Sequence, residues 1–170
     1  RLLIAGDGPQ REALETLVME LDLKKRIKFV GHLPHEQLMA LYHDRQVSCV
    51  VLPSVILGPG MHEGIPVSLI EAMACGIPVI GTNTGGIPEL LDGEAGLLVP
   101  EKDPAALAEV IARLVQSPEI RKRLAETGHR RVAKEFCLKG IVELIIELMR
   151  GNNLNGQVVH EIKELEAHAN

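Results

Sequence analysis

The chain has 170 residues and a formal net charge of −5, and 46% of its residues are apolar. This composition excludes disorder over most of the chain and is sufficient for one domain with a full hydrophobic core. The acidic balance and an aromatic content of 2% argue against nucleic-acid binding, which uses basic side chains to neutralise phosphates and aromatic rings to stack bases.

The cysteines and the chain start indicate the setting of the protein. Cys49, Cys75 and Cys137 are widely spaced, which argues against a zinc or Cys-x-x-Cys redox motif. We expect reduced thiols and a cytoplasmic location. No apolar run reaches the ~18 residues of a membrane span. Because the chain begins with Arg1 inside an apolar run, we expect it to be a piece of a longer polypeptide.

Short apolar runs alternate with amphipathic segments along residues 1–150. The runs predict strands at Leu2–Ala5, Lys28–Val30, Val47–Leu52, Val79–Ile80 and Leu97–Val99. The predicted helices are Leu14–Leu21, a short one opened by Pro34, Pro66–Cys75, Pro104–Val115, Glu119–Glu135 and Leu138–Arg150. This alternation predicts an α/β fold with a mostly parallel sheet.

The pattern also predicts burial and strand direction. We expect the first strand to be buried, and the strand ends near Gly6, Gly31, Pro53 and Gly81 to share one edge of the sheet. Residues 1–150 form the predicted domain. After Gly151 the composition becomes polar, so residues 151–170 are predicted to be a linker and tail, to which we assign no function.

The strongest candidate site is a block with two carboxylates eight positions apart, Glu63-Gly64-Ile65-Pro66-Val67-Ser68-Leu69-Ile70-Glu71. Pro66 suits the first turn of a helix, where its missing N–H needs no partner. Glu63 then lies before the helix and Glu71 one to two turns inside it. We expect Val67, Ile70 and Ala74 on or near the buried face and Glu71 turned toward the ligand cleft.

The amides at the start of this helix predict an anion site suited to a diphosphate. A carboxylate on each side of an anion site repels the anion. The arrangement therefore makes sense only if both carboxylates accept hydrogen bonds from hydroxyls further along the same ligand. A ligand with hydroxyls at both ends and phosphate in the middle is a nucleotide sugar. The alternative is that Glu63 is a loop charge and Glu71 a solvated helix residue.

Further motifs occur around this block: Ala5-Gly6-Asp7-Gly8-Pro9, Leu52-Pro53-Ser54, Glu71-Ala72-Met73-Ala74-Cys75-Gly76-Ile77-Pro78-Val79-Ile80, Thr84-Gly85-Gly86-Ile87-Pro88-Glu89 and Gly96-Leu97-Leu98-Val99-Pro100. In this order, over about residues 1–150, they resemble the C-terminal donor-binding domain of group-1, or family-4, retaining glycosyltransferases. The resemblance implies a Rossmann-like doubly wound parallel sheet, one half of the GT-B fold.

The resemblance also implies roles for individual residues. Glu63 bonds the hydroxyls of the transferred sugar and is the candidate catalytic residue, and Glu71 accepts the two ribose hydroxyls. The segment from Gly64 to Ser68, with Ile65 and Val67, holds the diphosphate, and Gly8 belongs to the opening donor-binding motif. The implied reaction moves a hexose from a nucleoside-diphosphate sugar to an acceptor hydroxyl with the anomeric configuration kept.

Two parts of the family pattern have no match in this sequence. The family's domain normally begins one strand earlier, with an Arg and a Lys that clamp the diphosphate, and an N-terminal domain binds the acceptor. We therefore expect this chain alone to transfer no sugar. The alternatives are a non-catalytic nucleotide-binding module and a GT-B-fold epimerase or phosphorylase. The form Glu63-Gly64-Ile65-Pro66-Val67 looks most like enzymes of bacterial exopolysaccharide assembly.

Other motifs are weak. The sequence has no P-loop and no Asp-x-Asp, and His32 and His35 lack an evident third ligand, so we expect no metal and no cofactor. His62 is either a donor contact or a plain loop residue. We interpret six basic residues as a solvated face, and contact with an acidic membrane surface is the alternative. They are Arg121, Lys122, Arg123, Arg130, Arg131 and Lys134.

Overall fold

A computed structural model describes residues 1–58 and 63–149. The chain divides into two compact units, Arg1–Val47 and Ser48–Asn170. Each unit is an α/β assembly with its own parallel sheet. The predicted tail of residues 151–170 lies outside the described residues.

The first unit contains two strands and two helices. They are β1 (Leu2–Ala5), α1 (Arg11–Glu20), β2 (Ile27–Gly31) and α2 (His35–His43). The strands pair in parallel, with Leu2 opposite Ile27 and Ala5 opposite Gly31. The Gly6 amide then donates to the Gly31 carbonyl at 2.7 Å, so both strands end at the same edge.

The expected burial of β1 is wrong for this unit. Leu2 is 48% exposed and Leu3 is 44% exposed. The physical reason is that β1 pairs only with β2 among the described strands. A two-stranded sheet has no interior strand, so it cannot enclose apolar side chains on its own.

The second unit contains three strands and five helices among its described residues. They are β3 (Val50–Leu52), α3 (Val67–Ala74), β4 (Val79–Thr82), α4 (Ile87–Leu91), β5 (Leu97–Val99), α5 (Pro104–Gln116), α6 (Pro118–Glu135) and α7 (Leu138–Met149). The strand order is β3-β4-β5, and both pairs are parallel. The carboxyl ends of the three strands therefore lie at one edge.

The hydrophobic core of the second unit lies between this sheet and the late helices. Ile80 and Val99 from the strands pack with Leu114 of α5 and Leu124 of α6, and all four are at most 3% exposed. Asp103 and Ser117 start the two helices by accepting hydrogen bonds from the Ala106 and Ile120 amides. The sheet and the two helices thus enclose this core.

The α/β class and the parallel pairing are confirmed. The shared edge predicted for the strand ends holds within each sheet. The five strands form two sheets rather than one, and no strand of the first sheet pairs with the second over the described ranges. Most helix bounds differ from the predicted ones by a few residues, but α4 was missed.

The predicted strand Val47–Leu52 is too long, because β3 begins only at Val50. Val50 is opposite Val79, the first residue of β4, and its amide donates to the Pro78 carbonyl. Pro78 has no N–H with which to extend the ladder toward Val47.

None of the helices of residues 1–58 and 63–149 is both long and apolar enough to cross a membrane.

Candidate functional site

The start of α3 is the centre of the candidate site. The helix runs from Val67 to Ala74, with Pro66 as its N-cap residue in an extended conformation. The predicted start is therefore confirmed to within one residue. Pro66 has no side-chain oxygen, and no side chain caps the helix. The first-turn amides of Val67 and Ser68 have no acceptor one turn back inside the helix, and Val67 is 64% exposed.

The expected orientation of α3 is wrong. Its buried residues are Leu69, Ala72 and Met73, all 0% exposed. These positions follow the i, i+3, i+4 spacing of one helix face. Val67 and Ala74, which were expected on the buried side, are exposed, and Ile70 is only partly buried.

Glu71 lies outside this buried face of α3, on the face that also carries Val67 and Ser68 at the uncapped helix start. Positions three or four apart share a face of an α-helix, so Glu71 lies one turn after Val67 and Ser68. Glu71 is partly buried. Cys75 lies one turn further along, and its amide donates to the Glu71 carbonyl at 3.1 Å. Burial and, second, the charge of the Glu71 carboxylate raise the pKa of the Cys75 thiol.

Glu63 lies in the loop that follows β3 and is held there by a serine. The Ser54 hydroxyl donates to Glu63 Oε2 at 3.0 Å. Ser54 is itself fixed, because the hydroxyl of Thr82, the last residue of β4, donates to its carbonyl at 2.6 Å. Thr82 is 3% exposed. The carboxylate is thereby tied to the carboxyl edge of the sheet.

A second loop holds the backbone of Glu63. The Gly86 amide, just before α4, donates to the Glu63 carbonyl at 3.1 Å. Gly85 has φ +56°, and a Cβ at this position would overlap the Glu63 carbonyl oxygen. The glycine pair therefore lets the loop after β4 lie directly against the loop that carries Glu63.

Thr84 stands at the start of this second loop. It is 4% exposed, and its hydroxyl is buried without a hydrogen-bond partner in the described structure. Buried hydroxyls are normally paired. Sequence reasoning gave no role to Ser54, Thr82 or Thr84. The signal that could have found them is a hydroxyl residue at the end of a parallel strand or within two residues after it.

Two further predicted site residues are Gly8 and His62. Gly8 lies in the first unit, in the turn after β1, where its amide donates to the Asp7 carboxylate at 2.8 Å and its carbonyl accepts from the Arg11 amide. His62 lies outside the described residues. The structure thus groups Glu63, the α3 start and Glu71 in one unit.

A small pocket lies at the same edge of the second sheet. Its volume is about 180 Å³, and its lining includes Pro53, Thr82, Val99, Lys102 and Leu107. Ligand pockets usually measure at least ~300 Å³. The pocket is therefore too small to hold a nucleotide sugar by itself.

Most of the predicted basic face is engaged in contacts within the fold. Arg121 donates to the Leu114 and Val115 carbonyls at the end of α5, and Arg131 to the Glu89 and Leu90 carbonyls of α4. Arg123 pairs with Glu94, Lys122 with Glu126, and Arg130 with the Thr127 hydroxyl. These contacts favour a role in stability for the two arginines that join helices.

No group of three or more His, Cys, Asp or Glu side chains in residues 1–58 and 63–149 is arranged to hold a metal ion. The three cysteines are unpaired. The prediction that no metal or cofactor is needed stays a prediction.

Parallel sheets flanked by helices, with polar residues gathered at the strand ends, define an α/β protein of the kind that binds ligands at that edge. A family model described as glycosyl transferases group 1 matches residues 1–131. The chain therefore belongs to the group 1 glycosyltransferase family, and its parallel α/β architecture is that of the GT-B fold.

Among curated relatives, the putative colanic acid biosynthesis glycosyltransferase WcaL of Salmonella typhimurium is 38% identical over 155 residues. The match covers 88% of this chain and 37% of that protein. The chain thus spans little more than a third of the relative's length.

Two solved structures extend the comparison. The C-terminal domain of the group 1 glycosyltransferase LpcC from Francisella tularensis has a TM-score of 0.66 and 26% identity, covering 81% of this chain and 69% of that one. The Anabaena protein HepE, in complex with UDP-glucose, has a TM-score of 0.70 and 25% identity, covering 88% of this chain and 40% of that one.

Proposed function

We propose that this chain is the donor-binding domain of a retaining glycosyltransferase. The full polypeptide moves a hexose from a nucleoside-diphosphate sugar to an acceptor hydroxyl, in polysaccharide or glycolipid assembly. Glu63 faces the sugar, the amides from Gly64 to Ser68 hold the diphosphate, and Glu71 accepts the ribose hydroxyls. A cytoplasmic location and peripheral membrane contact belong to the same proposal.

The observation that most supports this function is the arrangement around the start of α3. A helix of eight residues begins without a side-chain cap. Directly before it, the Glu63 carboxylate is fixed by Ser54. An uncapped helix start attracts an anion through its free amides and dipole. A carboxylate held beside an anion site is unfavourable for the anion, but it is useful for binding hydroxyls attached to that anion.

The arrangement also suggests how the domain contributes to catalysis. As the glycosidic bond to the diphosphate breaks, negative charge builds up on the leaving phosphate, and donors already aimed at it stabilise that charge. A helix start supplies only about half an elementary charge. Further cations are therefore needed for efficient transfer, and we expect the 170-residue chain alone to bind donor without transferring sugar.

The similar proteins support the donor class. WcaL is named for colanic acid biosynthesis, and HepE was solved with UDP-glucose. A non-catalytic nucleotide-binding module is the second candidate. A nucleotide-sugar epimerase or a phosphorylase on the same fold is the further alternative.

Calorimetric titration of the chain against UDP, GDP, ADP and their glucose or mannose conjugates tests the proposal. We expect one base to be preferred and binding to be retained by both its diphosphate and its sugar conjugate. Glu71→Ala should weaken the preferred diphosphate by roughly 1.5–3 kcal/mol, since hydrogen bonds to a charged group are lost. Absence of binding to every nucleotide, or an unchanged affinity in the Glu71 variant, would contradict the proposed site.

A further inference from the structure

Two hydroxyl side chains at the ends of adjacent strands hold Glu63 in series. The Thr82 hydroxyl donates to the Ser54 carbonyl at 2.6 Å, and the Ser54 hydroxyl donates to Glu63 Oε2 at 3.0 Å. The register places Leu52 of β3 opposite Gly81 of β4, so Thr82 and the start of the Ser54 loop are neighbours. The series therefore begins inside the sheet and ends on the candidate sugar-binding carboxylate.

Each link has a reason to persist. Thr82 is 3% exposed, and burying a hydroxyl destabilises the fold unless the hydroxyl finds an acceptor. The Ser54 hydroxyl has one proton to donate, and a hydrogen bond to a charged carboxylate is stronger than one to a neutral acceptor. Ser54 and Glu63 are nine positions apart, so this bond also closes the loop between β3 and α3.

We propose that Ser54, fixed by Thr82, is a positioning residue that aims the Glu63 carboxylate at the sugar of the donor. The inference rests on the proposed function, in which Glu63 binds that sugar. Ser54 does not contact the sugar itself in this proposal. It contributes to sugar binding by orienting the Glu63 carboxylate. A carboxylate that is already held loses less rotamer freedom when a ligand binds, so its hydrogen bonds contribute more to affinity.

A positioning role and a merely structural role differ in one measurable way. If Ser54 only stabilised the fold, its loss would change the unfolding free energy and would affect all ligands alike. If it aims Glu63, its loss weakens ligands that carry the sugar and leaves the bare diphosphate nearly unaffected. The ratio of the two affinities therefore separates the roles, even where stability also falls.

The test measures the dissociation constants of UDP and UDP-glucose, or the pair selected by the titration panel, for four forms of the chain. They are the wild type, Ser54→Ala, Glu63→Ala and the double variant. We expect Ser54→Ala to lower the preference for the sugar conjugate by about 3- to 10-fold, the size of one hydrogen bond. In the Glu63→Ala background the same change should have no further effect on that preference.

Two controls complete the test. Ser54→Thr keeps the hydroxyl and should restore most of the preference. Ser117→Ala removes a serine hydroxyl that accepts from the Ile120 amide at the start of α6. It should lower the urea midpoint of unfolding without changing the preference, because a helix cap far along the chain from Glu63 is lost.

The outcomes separate the two proposals. A Glu63→Ala form that keeps the preference overturns the assignment of Glu63 to the sugar, and the positioning role fails with it. A Glu63→Ala form that loses the preference, together with a Ser54→Ala form that keeps it, leaves the proposed function intact and overturns the positioning role. A Ser54 effect that persists in the Glu63→Ala background overturns it as well.

Discussion

The backbone of Gly86 holds the backbone of Glu63: the amide of one donates to the carbonyl of the other at 3.1 Å. This bond joins the loop after β4 to the loop before α3. Gly85, one residue earlier, lies so close that a Cβ would overlap the same carbonyl oxygen. The glycine pair therefore packs directly against the backbone of the residue that carries the candidate sugar-binding carboxylate.

Gly85→Ala should disrupt this contact. The residue has φ +56°, and the new methyl group would also force the Glu63 loop away. Gly76→Ala is a matched control, because Gly76 has φ +69° and nothing lies within 4 Å of a Cβ there. Urea unfolding should show a loss of about 1 kcal/mol for Gly76→Ala and about 2 kcal/mol or more for Gly85→Ala. Equal losses would mean that the close approach to Glu63 is unimportant.

Arg131 should matter for stability far more than its neighbour Arg130. Its guanidinium donates to the Leu90 and Glu89 carbonyls at 2.9 and 2.7 Å and lies over the Phe136 ring. Arg131→Ala should lower the free energy of unfolding by roughly 2 kcal/mol, since charged donors to the end of α4 are lost.

Arg130→Ala is the control for this prediction, because it removes the same charge. Within the part of the chain that the structure describes, the Arg130 guanidinium bonds only the Thr127 hydroxyl, at 3.3 Å. Its effect on the unfolding free energy should stay within about 0.5 kcal/mol. If the two variants lost equal stability, the basic face would contribute through its charge alone.

Cys75 should report the charge of Glu71. Burial and, to a lesser degree, the Glu71 carboxylate raise the pKa of the Cys75 thiol, so less thiolate is present at a given pH. Because the thiolate is the reacting form, Glu71→Gln should speed alkylation of Cys75 by iodoacetamide near pH ~8. Peptide mass spectrometry can follow the rate, with Cys137 in the same sample as internal control. An unchanged alkylation rate of Cys75 would mean that the Glu71 carboxylate is too far from the Cys75 thiol to affect it.

The element pattern was predictable because it follows from local chemistry. The strands are short apolar runs bounded by Gly and Pro, and α5 is marked by Asp103 followed by Pro104. Helix α4 was missed, since Gly85-Gly86 and Pro88 suggest a turn. Pro88 is the second helical residue, where its missing N–H costs nothing. A helix of five residues also leaves too little periodicity to detect.

The buried face of α3 could not be read from the sequence. Only Ser68 and Glu71 are polar in its eight residues, so two different apolar faces fit the helical period equally well. Packing selects the face, and it selects Leu69, Ala72 and Met73. The Ser54–Glu63 bond was invisible for another reason, because it depends on the course of the loop between two distant positions.

The carboxylate block itself was predictable, because Glu63, Pro66 and Glu71 mark a loop and a helix start by their residue types alone. What the sequence does not reveal is how Glu63 is held. Ser54, Thr82 and Gly86 come from three strand ends or loops, and only the parallel register of β3 and β4 brings them together.

The division of roles between the two carboxylates is the centre of this account, and calorimetry of Glu63→Ala and Glu71→Ala with UDP and UDP-glucose tests it most directly. Glu63→Ala should weaken UDP-glucose by about 10-fold or more while UDP changes by less than about twofold, since only the conjugate carries the sugar hydroxyls. Glu71→Ala should weaken both ligands alike, because both carry the ribose. Equal losses of UDP and UDP-glucose in the Glu63 variant would contradict the account.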